Sequence, residues 1–312
     1  MPAQPYSIRN YSSEDFENFV TFCVETELLG MKEDRTISSL IKKKFQKPYY
    51  SPDQNLFLAL WKAQIVGFLD MIPELRIGRI ILEGFVHTQH RRNGLATLLF
   101  HNAIERARRA GGKVFHVCIP EEDRVCISFL KKMSFSPVRR FDDLEQALSK
   151  IDVKKSFFPG IRVRNLKPGE EDLLADIQNQ CFTGSWGFCP NTVEEIKFYL
   201  EWTGSQMEDV IAAESRESKD IIGYCWTHRV RRGASARKRG RIHMFGVHPE
   251  YRGKGLGERL LSQGLKYLKT KGVEVAELTI DTQNKPARVI YKSLGFKPIA
   301  SKLWLEKKIV NI

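Results

Sequence analysis

The chain repeats itself, and this constrains its fold more than any other feature. Ile8-Arg9-Asn10-Tyr11, followed by Glu14-Asp15-Phe16, returns as Val163-Arg164-Asn165-Leu166 followed by Glu171-Asp172-Leu173. Val86-His87 with His90-Arg91-Arg92-Asn93-Gly94-Leu95-Ala96 returns as Val247-His248 with Tyr251-Arg252-Gly253-Lys254-Gly255-Leu256-Gly257. The offsets are 155 and 161 and the order is kept, so the 312 residues are two versions of one design, each long enough to bury its own core. Each half reads as strand, helical region, two or three strands, a glycine turn, a helix, a strand and a shorter helix, which is a mixed α/β layer. In the second half Leu256, Leu260, Leu261, Leu265 and Leu268 recur at helical spacing, Gly272 marks the stop, and Ala276, Leu278 and Ile280 alternate as a strand does. Periodicity lapses between about Ser149 and Pro159, which places the boundary near residue 155 and the domains at 1–155 and 156–312.

Composition narrows the setting. Hydrophobic residues are 42% and charged residues 28%, ordinary values for a folded chain and wrong for a disordered one. No apolar run reaches membrane-spanning length and the first ten residues lack a signal-peptide core, so the expected setting is soluble and cytoplasmic, without a membrane partner. The six cysteines form no CxxC pair, so neither a metal site nor a disulfide frame is expected. A net charge of +13 favours anionic partners: nucleic acid, acidic lipid, acidic protein or a phosphate-bearing cofactor.

The turn Arg252-Gly253-Lys254-Gly255-Leu256-Gly257 follows a strand ending Met244-Phe245-Gly246-Val247 and opens an apolar-faced helix. Glycines let backbone amides approach an anion, and the helix N-terminus adds partial positive charge, so the arrangement is a phosphate cradle. It has neither the GxxxxGK[ST] spacing of a P-loop nor the GxGxxG order of a dinucleotide turn. A second cluster follows: Asn284-Lys285-Pro286-Ala287, then Tyr291, then Gly295-Phe296.

RxxGxG after a strand followed by NxxAxxxYxxxGF resembles the GNAT superfamily of acetyl-coenzyme A dependent N-acyltransferases, and the resemblance covers both halves. It implies two tandem α/β domains, each a mixed, mostly antiparallel, twisted sheet flanked by helices. It also implies transfer of an acetyl group from acetyl-coenzyme A to a primary amine on a small molecule or peptide. Phe245, Gly246 and Val247 would hold the pantetheine and the thioester carbonyl, Arg252, Gly253, Lys254, Gly255, Leu256 and Gly257 the pyrophosphate, and Asn284 the pantetheine. Tyr291 would be the general acid that protonates the leaving thiolate; read by itself it is equally a core aromatic on the face of Ala287 and Leu294.

The first half keeps Val86, Arg91, Arg92, Asn93, Gly94, Leu95 and Ala96, a possible second cofactor site. It sets Asp123 opposite Asn284, Cys126 opposite Ala287 and Leu130 opposite Tyr291, and a leucine cannot protonate a thiolate. Chemistry is therefore expected in the second half. Tandem chains with this asymmetry resemble mycothiol synthase relatives, which implies small thiol-bearing amines among the acceptors.

Many enzymes of the superfamily carry a basic glutamate on the strand before the turn; Arg241 stands at the position where it is expected. His243, on the same face, is the candidate base, with a strand histidine satisfied by a neighbour as the other reading. Freeing an α-amine of pKa ~7.8 at pH 7 costs about 1.1 kcal/mol against roughly 4.6 for a lysine near ~10.4, which favours a low-pKa amine. Trp186 and Phe188, in the loop between the first two helices of the second half, read as an acceptor wall or as a plug. Arg229, Arg231, Arg232, Arg237, Lys238, Arg239 and Arg241 form a basic run around Gly233 and Gly240. That run keeps open a second reading, a non-catalytic coenzyme A binding sensor or scaffold with a nucleic-acid or acidic protein partner. The oligomeric state is left open.

Overall fold

The computed structural model describes residues 6–27, 34–150, 159–230 and 238–310. Two compact units emerge, Met1–Arg139 with Leu303–Ile312, and Arg140–Lys302.

Unit 1 begins with β1 (Tyr6–Asn10), α1 (Phe16–Glu25), α2 (Asp34–Phe45) and the short α3 (Pro52–Asn55). It continues through β2 (Leu56–Trp61), β3 (Gln64–Glu74), β4 (Arg79–Val86), α4 (Leu95–Arg109), β5 (Val114–Pro120) and α5 (Arg124–Lys132). Strands β1 to β4 pair antiparallel and β5 joins parallel to β4. One face of the sheet packs on α4 through Leu95, Leu99, Phe100 and Ala103; the other carries an aromatic core of Phe19, Phe22 and Phe68 under α1 and α2.

A long strand, β6 (Ser136–Ala147), follows α5 and lies mostly in unit 2. There come β7 (Ile161–Asn165), α6 (Glu171–Phe182), α7 (Val193–Thr203), β8 (Val210–Ser215), β9 (Ile221–Val230) and β10 (Arg239–Val247). They are followed by α8 (Leu256–Thr270), β11 (Val275–Asp281), α9 (Lys285–Ser293) and β12 (Lys297–Lys308). Strand order in unit 2 runs β6-β11-β10-β9-β8-β7, with β10 and β11 parallel and the other pairs antiparallel. The leucines expected on one helical face, Leu256, Leu260, Leu261, Leu265 and Leu268, are all buried under α8, against Ala276, Leu278 and Ile280 of β11. The capping box of Thr192 with Glu195 starts α7, and Asn284 caps α9 with Pro286 in its first turn, where a missing amide costs nothing.

The sequence rhythm omitted one element, a last strand after each short helix, and these strands do not stay with the half that precedes them. Leu305 of β12 is fully buried in the core of unit 1, the Ile309 amide donates to Lys113 O at 2.9 Å and Lys307 Nζ to Met133 O at 2.7 Å. In unit 2, β6 pairs with β11 along its length, from Val275↔Ala147 to Asp281↔Phe141. The boundary expected near residue 155 lies outside the described residues; the compact units change over at Arg139 and again at Lys302. Among the described residues no helix is long and apolar enough to cross a membrane.

Candidate active site

The site is built on a strand that loses a neighbour. β10 stays paired with β9 as far as Val247↔Gly223, but its parallel pairing with β11 covers only Arg239, Arg241 and the residue between them. Beyond Arg241 the two strands diverge, and the edge of β10 from Ile242 to Val247 has no ladder partner in β11. A bulge occurs at the divergence, where His243 is inserted between the pairs Ile242↔Thr227 and Met244↔Trp226. As a result His243 and Met244 lie on one face, toward α6 and α7, while Phe245 packs toward α8. Gly246 is required by close approach: a Cβ there would stand 2.8 Å from the Cys181 Cβ of α6.

The turn after β10 has the shape of an anion cradle. Gly253 (φ +74°) and Gly255 (φ +80°) are left-handed, and a Cβ on Gly253 would meet nothing within 4 Å. Gly255 is the N-cap of α8 and offers no side chain to the first amides of the helix, which lack intrahelical partners. The Arg252 guanidinium points inward, its Nε donating to Val247 O at 3.0 Å and its Nη2 to Cys181 O at 2.6 Å. Lys254 Nζ folds back to Glu250 O, and Gly257 faces Phe245 and Ile290.

Helix α9 holds the phenol. Asn284 Oδ1 accepts the Ala287 amide, so part of this side chain is spent on starting the helix. Tyr291 is buried, edge-on to Phe296 at 5.8 Å. Burial, then the neighbouring Cys225, pushes its pKa well above that of an ordinary phenol, so it stays protonated and keeps a proton to donate. Tyr291 packs in one apolar cluster with Cys225 of β9 and with Phe245 and Val247 of β10.

The other face of the sheet carries Trp186, Phe188 and several polar groups that have no signal in the sequence. Trp186 packs 6.1 Å from Phe141 of β6, and Phe188 5.3 Å from Phe182. The loop bearing them is pinned at its far end, where Asn191 bonds Asn179 and Gln178. Arg241 bonds Thr279, which bonds Asp143, itself paired with Lys302 at 2.7 Å. Burial works against the Asp143 carboxylate, yet Lys302, Thr279 and Arg241 together hold its pKa below the usual range. His243 stands among Trp226 at 4.6 Å, His228 at 5.7 Å and Tyr199 at 6.1 Å between ring centroids. Burial, helped by His228 and Arg241, pulls its pKa down to about 3; His228 is lowered to about 4, mainly by burial. Both imidazoles are neutral at pH 7. Of the basic run, Arg231, Arg232, Gly233 and Arg237 lie outside the described residues, while Arg239 pairs with Glu145 and Glu277.

Unit 1 keeps the frame and differs in its side chains. Gly94 (φ +76°) caps α4, Arg92 takes the left-handed place of Gly253, Arg91 Nε donates to Val86 O at 3.0 Å, and Asp123 caps α5 as Asn284 caps α9. The pairing of β4 with β5 again stops after three residues. But β3 and β4 run in register without a bulge, Phe85 occupies the place of Gly246, and Leu130 is buried where Tyr291 stands. On the acceptor side Lys44 pairs with the buried Asp70 and with Glu83, each at 2.7 Å, and Tyr50 donates to Asp70.

These features match known proteins in both units. The acetyltransferase (GNAT) family model matches residues 172–296, and an acetyltransferase (GNAT) domain model matches residues 8–135. The chain belongs to the GNAT superfamily, as a tandem acyltransferase. The mycothiol acetyltransferase of Stackebrandtia nassauensis is 26% identical over 264 residues, 83% of this chain and 84% of that one. That of Streptomyces coelicolor is 22% identical over 299 residues, 95% and 93%. Among solved structures, a GCN5-related N-acetyltransferase from Sphaerobacter thermophilus superposes with a TM-score of 0.71 at 18% identity, covering 100% of this chain and 98% of that one, which shows a common fold. A tandem GNAT protein from the clavulanic acid biosynthesis pathway gives the same score at 14% identity, covering 98% and 99%.

Proposed function

We propose that unit 2 transfers an acetyl group from acetyl-coenzyme A to a primary amine, a small molecule or α-amine being favoured, with Tyr291 as general acid. The observation that carries this is a protonated, buried phenol packed in one apolar cluster with Phe245 and Val247 of β10, a strand that loses its β11 partner beyond Arg241. Backbone amides of the turn from Gly253 to Gly257 would hold the pyrophosphate, since Gly253 faces open space and Gly255 starts the helix without a capping side chain, and the edge from Phe245 to Val247 would hold the pantetheine arm, with Asn284 Nδ2 reaching it from the helix cap. The thioester supplies an activated acyl carbon. Attack by the amine forms the C–N bond and places charge on the carbonyl oxygen; collapse breaks the C–S bond, the Tyr291 hydroxyl gives its proton to the departing thiolate, and the proton shed by the new amide nitrogen restores the phenol through solvent.

His243 is too weakly basic to strip an ammonium of ordinary pKa. We assign it instead to accept a hydrogen bond from an amine that enters uncharged, aiming the lone pair at the thioester. That role agrees with a low-pKa acceptor. Relatives named mycothiol acetyltransferase support testing small molecules of the mycothiol type first. In unit 1, Val86 and the turn from Arg91 to Ala96 would bind a phosphate-bearing ligand without turnover.

The test is thiol release from acetyl-coenzyme A with a panel of amines, followed by Tyr291→Phe. The ring and its packing stay, so kcat should fall by about 10² to 10⁴ while coenzyme affinity holds. A kcat within about threefold of the parent would remove the phenol from the mechanism.

A further inference from the structure

Arg252 is expected by its place in the motif to serve the coenzyme, but its guanidinium faces the other way. It spans two carbonyls, Val247 O at the end of β10 and Cys181 O near the end of α6. The second is among the last carbonyls of a helix, which lack intrahelical partners and favour a cation. Two residues later, Thr183 begins the loop that carries Trp186 and Phe188, whose far end is fixed through Asn191 to Gln178 and so to Met244 beside the bulge. This contact depends on Gly246, since any side chain there would collide with Cys181 and push the end of α6 out of reach. In unit 1 Arg91 keeps the bond to the strand end, but its guanidinium lies 5.3 Å over the ring of Phe85, the residue that replaces Gly246.

We infer that Arg252 is a positioning residue, a latch that couples the coenzyme turn to the acceptor loop, so that seating the coenzyme on the turn orders residues 183–192. This rests on the coenzyme reading given under Proposed function. A ligand that fixes Gly253 to Gly257 fixes Arg252 beside them; the two hydrogen bonds then hold the end of α6 and the start of the loop. Coupling between sites through one such element is typically on the order of 5- to 150-fold in affinity and is reciprocal.

The experiment is amide hydrogen exchange of the full chain with and without coenzyme A. In the unmodified protein coenzyme A should slow exchange in residues 183–192 by about fivefold or more. In Arg252→Ala that added protection should vanish, while coenzyme affinity falls less than in Gly255→Val, which strikes the cradle itself. Gly246→Ala, which leaves Arg252 intact but separates it from Cys181, should abolish the protection likewise. Should Arg252→Ala not fold, Arg252→Lys, able to reach one carbonyl but not both, takes its place with the same expectation. Full loop protection in these variants, or none in the unmodified protein with coenzyme A bound, would overturn the latch. So would a loss of affinity in Arg252→Ala as large as that of Gly255→Val, which would make the side chain a phosphate ligand. If the unmodified protein fails to bind coenzyme A at all, the coenzyme reading falls first and the latch with it.

Discussion

His243 shows how far a single residue can be read before its surroundings are known. Its place on the strand marked it as a candidate base, because an ordinary imidazole titrates near neutrality. The packed structure surrounds it with Trp226, His228 and Tyr199 and keeps it neutral far below pH 6. Stability should report this. Below about pH 6.5 the unfolded chain protonates both histidines while the folded one, with values near 3 and 4, does not. The unfolded state then binds more protons, so stability falls as pH drops from 6.5 toward 4. The expected loss is on the order of 1 kcal/mol per histidine by pH 5. Melting curves between pH 7 and 4.5 check it, and His228→Asn with His243→Asn should flatten the slope; an unchanged slope would contradict the assigned burial. Asp143 had no signal in the sequence, since its strand pairs with β11 only in the folded chain.

At the scale of the element, the glycine turn was legible as a cradle because its chemistry is local: two left-handed glycines, Gly253 and Gly255, directly precede the helix that starts at Leu256. Gly255→Val should therefore weaken coenzyme binding by tenfold or more, about 1.4 kcal/mol. A branched side chain there strains a backbone at φ +80° and crowds the helix start. Calorimetry with coenzyme A decides it; unchanged affinity would move the cofactor elsewhere. The bulge was not legible, because His243 fits either register until β9 pairs against it. The same holds for the inward turn of Arg252, which is set by α6, seventy residues away in sequence.

For the whole molecule, the units and the repeat do not coincide, since unit 1 takes Leu303–Ile312 from the far end of the chain. Deleting 303–312 removes the buried Leu305 and the backbone bond at Lys113 from unit 1. The loss of one buried leucine alone costs ~2–5 kcal/mol, a large part of the ~5–15 kcal/mol that stabilises a domain. Hydrogen exchange should show unit 1 opening first, at Leu99 and Phe115, while the core of unit 2 around Leu260 and Leu265 holds longer. Equal protection in both units would mean that the last strand is dispensable.

The sequence by itself determined the duplication, the glycine turn, the leucine face of α8 and the spacing from Asn284 to Tyr291, because each is a relation between residues near one another along the chain. It also showed that unit 1 has Leu130 in place of the phenol. Only the tertiary structure decided that β12 completes unit 1, that β10 bulges and parts from β11, that Phe141 packs on Trp186, and that Asp143 and Gln178 bond Thr279 and Asn191. It also decided that the two histidines are neutral. Strand pairing, burial and electrostatic shift depend on which distant residues come into contact, and local periodicity carries no record of those partners.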